Sequence, residues 1–125
     1  MQESVNTPPG AASNKYKYYL RPAYKSNELL IEIFTGVENE NFFYELTDAI
    51  KDINAEILST EDLFMNDEVL YKFNSDLGNF EISKDIWDNA FIMACNNQNC
   101  ILAINNLFQK DIRFMKVEVD FNNYK

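Results

Sequence analysis

Apolar side chains along this chain recur either at every second position or at intervals of three and four, and the two periods divide it into strands and helices. Tyr16, Tyr18 and Leu20 share one face at period two, and aromatic residues suit a half-buried strand. Pro22, which has no N–H to donate, either ends that strand or places it at a sheet edge. After turn residues Lys25-Ser26-Asn27, the stretch 28–34 predicts a second strand. Its first half is apolar on both faces, which places it inside the sheet. Thr35-Gly36 breaks the pattern. From 39 to 54, Phe42, Phe43, Leu46, Ala49, Ile50 and Ile53 recur at helical spacing and predict a helix with one buried stripe. Asn39 or Asn41 can cap it, and Glu38, Glu40, Glu45, Asp48 and Asp52 occupy its other faces.

Further along, 55–59 reads as a short strand and 60–68 as an acidic connection around Leu63, Phe64 and Met65. Val69, Tyr71 and Phe73 alternate up to turn residues 74–79, and Phe80 and Ile82 resume the alternation, which predicts a β-hairpin. The apolar run 90–94 is an interior strand. Ile101, Ile104, Leu107 and Phe108 make the stripe of a second helix over 96–110. Met115, Val117, Val119 and Phe121 then alternate with polar residues in the cleanest strand pattern of the chain. The order β-β-α-(β)-β-β-β-α-β predicts an α+β fold: a mainly antiparallel sheet of about six strands with two helices packed on one face. Residues 1–14, with Pro8-Pro9-Gly10 and little to bury, read as a disordered tail, and 15–125 as a single α+β domain.

Composition supports a packed core and narrows the chemistry. Of 125 residues, 46% are hydrophobic, with ten Phe and seven Tyr, so a core forms without disulfides or metals. Eleven Lys and Arg against twenty Asp and Glu give a net charge of −9. Nucleic acid and anionic membrane surfaces repel that charge, and a basic protein is attracted by it; the plainer reading is a solvated surface that keeps the protein soluble. No stretch approaches the roughly 20 apolar residues of a membrane helix. The opening residues have neither a basic nor an apolar signal region, and a cytoplasmic, reduced protein is expected.

With no His, histidine-based triads and the commonest metal ligand are excluded. Glycine occurs only at 10, 36 and 78, too sparsely for a phosphate-cradling loop or dinucleotide fingerprint. No cofactor, no metal site and no catalytic residue is expected. Cys95 and Cys100 have four residues between them where a redox pair ordinarily has two, and both are expected to be small buried side chains.

The candidate features are therefore surfaces. Glu61, Asp62, Asp67 and Glu68 surround Leu63, Phe64 and Met65; turned inward, these apolar residues are a loop anchor. Exposed, Phe64 or Met65 becomes an apolar centre within an acidic rim, which is how a specific interface is built. Glu45, Asp48 and Asp52 on the first helix either extend that surface or form an ordinary solvated face. Trp87, between Asp85 and Asp88, is expected to anchor the core, with an exposed binding hot spot as the alternative.

The segment Ser83-Lys84-Asp85-Ile86-Trp87-Asp88-Asn89-Ala90-Phe91-Ile92-Met93-Ala94 and the ending Lys116-Val117-Glu118-Val119-Asp120-Phe121, together with small size, acidity and richness in Asn, Phe and Tyr, carry a resemblance. In these the chain resembles the immunity proteins that protect bacteria from contact-dependent and other polymorphic toxins. The resemblance implies a non-enzymatic inhibitor that occludes a cognate, basic toxin domain. It places the acids Glu61, Asp62, Asp67, Glu68, Glu45, Asp48 and Asp52 at the partner-binding face, and the residue reading adds Phe64 and Trp87 as its candidate apolar anchors. A structural or adaptor domain working through sheet edges or self-association is the second class of reading, and a hydrolase built on carboxylates and tyrosines the third.

Overall fold

The structure, a computed structural model, describes residues 13–63, 65 and 67–124. Residues 1–12 of the predicted tail lie outside the described residues, as do Phe64, Asn66 and Lys125. Engagement begins one residue before the expected boundary, where the Asn14 N–H donates to the Ile112 carbonyl at 2.8 Å.

Among the described residues the strands are β1 (Tyr16–Pro22), β2 (Leu29–Thr35), β3 (Glu56–Leu63), β4 (Glu68–Asn74), β5 (Phe80–Asp85), β6 (Ala90–Met93) and β7 (Phe114–Lys116). The helices are α1 (Phe42–Ala49) and α2 (Gln98–Gln109), with short 3₁₀ turns at Lys51–Ile53 and Phe121–Tyr124. The strands form one seven-stranded sheet in the order β3-β4-β5-β6-β2-β1-β7. Every pairing is antiparallel except β1 with β7, which is parallel over Tyr16–Phe114 to Tyr18–Lys116. The fold is thus α+β as expected, with one more strand than the alternation alone suggested and one parallel seam.

The register explains the core. Leu20, Ile31, Ile92, Ile82, Tyr71 and Thr60 lie directly opposite one another in a row across six strands, all on the helix-covered face. Side chains alternate across a strand, so Tyr16, Tyr18, Ile33, Phe73 and Phe80 reach the same face and are buried. Phe42 and Leu46 of α1 and Cys100, Ile101, Ile104 and Phe108 of α2 close over them in one cluster. The other face carries Tyr19 stacked on Phe34 at 4.3 Å and the ion pair of Arg21 with Glu32 at 2.7 Å. The Arg21 guanidinium also lies 4.7 Å from the Tyr124 ring, which brings the C-terminal turn onto that side.

Several expectations are corrected. The predicted first helix is an eight-residue α-helix followed by a 3₁₀ turn, because the chain tightens at Ile50 and ends at Asn54 in a left-handed conformation (φ 52°). The acidic connection is mostly β-strand, since β3 runs to Leu63. The cleanest alternation, 115–121, pairs only to Lys116. Val117 adds one bond, donating to the Tyr18 carbonyl at 2.8 Å, and the chain then leaves the ladder for the 3₁₀ turn. Pro22 ends β1 where, among the described residues, no strand flanks it on the β7 side, so its missing N–H disturbs no ladder there. Cys100 is buried, and burial pushes its thiol up, but Cys95 is exposed.

Gly36 sits just past β2 at φ +93°, and a Cβ there would lie 2.6 Å from both the Lys15 carbonyl and the Tyr16 ring. The close approach lets the end of β2 turn under the start of β1. Gly36→Ala is expected to cost about 3 kcal/mol, from combined backbone strain and overpacking. A thermal melt reads this as a fall of about 10 °C. An unchanged midpoint would mean that this approach is not maintained in solution.

Candidate functional site

Two turns at one end of the sheet carry the site. The β5–β6 turn is fixed by its first residue: Asp85 Oδ1 accepts the N–H of Trp87 at 2.9 Å and of Asn89 at 3.1 Å. Asp88 takes the left-handed conformation (φ 62°) that Asp tolerates better than most residues. This turn leaves Ile86 and Trp87 outside the core, at 64% and 67% exposure. The core placement expected for the single tryptophan is therefore corrected. The turn residues that cap the loop fix its backbone outward, and the core is filled by Phe and Ile instead.

The β3–β4 turn lies alongside. The Asp67 carbonyl accepts the Ile86 N–H at 3.2 Å, and Glu68 stands opposite Asp85 in the ladder, so the two turns are held as a unit. Met65 is 96% exposed, which settles that residue's orientation as outward; Phe64 lies outside the described residues. Between the turns is an open depression of about 280 Å³ lined by Asp62, Asp67, Glu68, Asp85, Lys84, Val69, Tyr71 and Ile86. Four carboxylates against one ammonium make it acidic. On the face of the sheet away from the helices, the buried Ser83 hydroxyl donates to Glu68 and holds its carboxylate. Burial, and then the charge of Asp62, raise the Tyr71 phenol above its usual range, so it stays neutral and can donate.

Of the residues expected at a partner face, Asp62, Asp67 and Glu68 line the depression and Trp87 stands in the turn beside it. Glu61, next to Asp62, points to the opposite face, where it pairs with Lys72 at 2.9 Å and raises that lysine's pKa by their hydrogen bond. The α1 acids lie elsewhere. Glu45 bonds Lys15 at 2.7 Å and accepts from the Tyr16 hydroxyl, and Asp48 bonds Arg113 at 3.0 Å. Glu45 and Asp48 therefore serve the fold, while Asp52 is exposed in the 3₁₀ turn. Asp85, Ile86 and Tyr71 join the site without having been singled out. The Asp-x-Trp-Asp-Asn sequence was the cue for Asp85 and Ile86, while Tyr71 showed only as part of the strand alternation of 69–73.

Among the described residues no group of three or more His, Cys, Asp or Glu side chains is placed to hold a metal ion, and no helix is long and apolar enough to cross a membrane. No protein-family model, curated protein or solved structure matches the chain.

Proposed function

We propose that this protein is a stoichiometric inhibitor of the immunity type, which binds a basic protein domain and neutralises it by covering its working surface. The observation that carries this reading is the paired-turn end of the sheet. There the exposed Trp87, Ile86 and Met65 stand beside the carboxylates of Asp62, Asp67, Glu68 and Asp85. Exposed aromatic and aliphatic anchors supply slow release once desolvated, and surrounding acids speed capture of a basic partner. A net charge of −9 extends that field over the whole molecule.

The test is affinity capture with the intact chain at low and moderate salt, followed by assay of the captured protein alone and mixed one to one. The reading expects one basic partner whose activity the chain abolishes at equal stoichiometry. Trp87→Ala should weaken the complex by about 2 kcal/mol, roughly thirtyfold, as hot-spot truncations do. Asp62→Lys should slow association and flatten its salt dependence. A partner held equally well by both variants would move the interface away from these turns.

A further inference from the structure

β3 is the sheet's outer strand, and every residue from Glu56 to Asp62 is exposed. Its outward edge meets no other strand among the described residues, whereas β7, at the opposite edge, is three residues long. An unpaired edge of this length offers a row of backbone donors and acceptors to another chain. Beside it, on the helix-covered face, α1 stops short of the edge and leaves an apolar groove of about 410 Å³ between Phe43, Tyr44, Ile57, Tyr71 and Phe73. Tyr44 and Ile57 are 73% and 54% exposed at its rim. Tyr71 lines this groove and the acidic depression alike, so the two adjoin.

We infer that β3 accepts an eighth strand: an extended segment of a basic partner protein, adding edge to edge, with apolar side chains in the Tyr44–Ile57 groove and cationic ones against the strand's acids. Charge favours this occupant over a second copy of the chain. A two-fold antiparallel pairing centred on Ser59 sets Glu56 against Asp62 twice, and one centred between Ser59 and Thr60 sets Ile57 and Leu58 against Asp62 and Glu61. Like charges directly opposite destabilise a ladder, and each copy also carries −9. Those acids, with the register shift between Ile57 and Ser59, guard the edge against self-pairing while leaving it attractive to Lys and Arg. Strand addition draws affinity from the backbone and selectivity from alternate side chains, as this edge and groove provide. The inference rests on the inhibitor reading for the partner's charge, but its test uses no natural partner.

The probe is an acetylated, amidated twelve-residue peptide of alternating lysine and valine. Its control alternates lysine and proline, with equal charge but no capacity to pair as a strand. Exchange of the backbone amides is followed by NMR on the intact chain. The lysine–valine peptide should slow exchange across β3 at least tenfold and bind at least tenfold more tightly than the control. The double variant Tyr44→Ala, Ile57→Ser should remove that difference, and Trp87→Ala should retain it, which separates this edge from the turn site. Equal binding of the two peptides would overturn the inference, as would protection confined to the two turns. Protection of β3 that rises with protein concentration without peptide would assign the edge to a second copy instead.

Discussion

Replacing Phe108 by alanine is expected to remove about 3–5 kcal/mol of folding stability, the usual cost of deleting a fully buried aromatic ring. Phe108 is fully buried, lies flat on Phe114 at a centroid distance of 4.1 Å, and meets Tyr18 edge-on at 5.3 Å. One ring thus joins α2 to both strands of the parallel seam. Alanine loses the transfer energy of the ring and leaves a cavity between three elements that cannot easily collapse. With a urea slope of about 2 kcal/mol/M, the unfolding midpoint should fall by roughly 2 M. Phe108→Leu should cost much less, because it retains most of the volume. A loss below about 1 kcal/mol for alanine would show that the site repacks or that the ring is not enclosed.

Arg113→Ala is the second large effect, about 3 kcal/mol at neutral pH, because it strands the part-buried carboxylates of Asp111 and Glu45. The Arg113 side chain is only 17% exposed; it grips Asp111 with Nε at 2.9 Å and Nη2 at 2.6 Å and reaches Asp48 at 3.0 Å. Glu45 follows at 3.8 Å. Burial alone would raise the Glu45 and Asp111 carboxyls, but for Glu45 the Lys15 and Tyr16 hydrogen bonds, and for Asp111 the Arg113 bonds, outweigh it and hold both below the usual range. A folded pKa below the unfolded one contributes stability above the unfolded value, lost as pH falls through the folded value. Removing the guanidinium leaves Asp111 with burial opposed by weaker help. The variant therefore loses less on acidification than the parent, and the gap between them should narrow from about pH 7 to about pH 3. Urea titrations at both values measure it, and a constant gap would mean that Arg113 acts through its alkyl stem rather than its charge.

The chain's periodicity carried much of the fold. Ile101, Ile104 and Phe108 are buried in α2 as their spacing predicts, and the two-sided apolar run of β2 does lie inside the sheet, between β1 and β6. Where the reading fell short, the cause is physical. β3 is exposed at the sheet's edge, so nothing forces its side chains into core-and-solvent alternation, and its acids resemble a loop. Of the alternating apolar residues in 115–121, only Val117 and Val119 are half-covered, while Met115 and Phe121 are exposed, and beyond Lys116 no ladder continues among the described residues.

The site was legible only in part, for a related reason. Sequence neighbours such as Glu61 and Asp62 go to opposite faces of one strand, and whether an acid meets solvent or an arginine depends on contacts far along the chain. Glu45 meets Lys15 and Arg113, and Asp48 meets Arg113 65 positions away, which no local pattern shows. Trp87 was flanked by its own turn signal, and that signal, rather than the general preference of tryptophan for cores, decided its exposure.

The seam between β2 and β6 has a kinetic consequence. β3 to β6 form a meander of neighbouring hairpins that can assemble from local encounters, and β1 with β2 is a hairpin of its own. Joining them requires Ile31 to find Ile92, and closing the far edge requires Tyr16 to find Phe114. Such distant encounters bear their loop-closure entropy before any ladder rewards them, which makes them the slow events of folding. The two hairpin blocks therefore form early and the middle of the sheet is stitched late, so a nascent chain cannot complete its central hydrophobic row until β6 has been made, nor cover it until α2 follows.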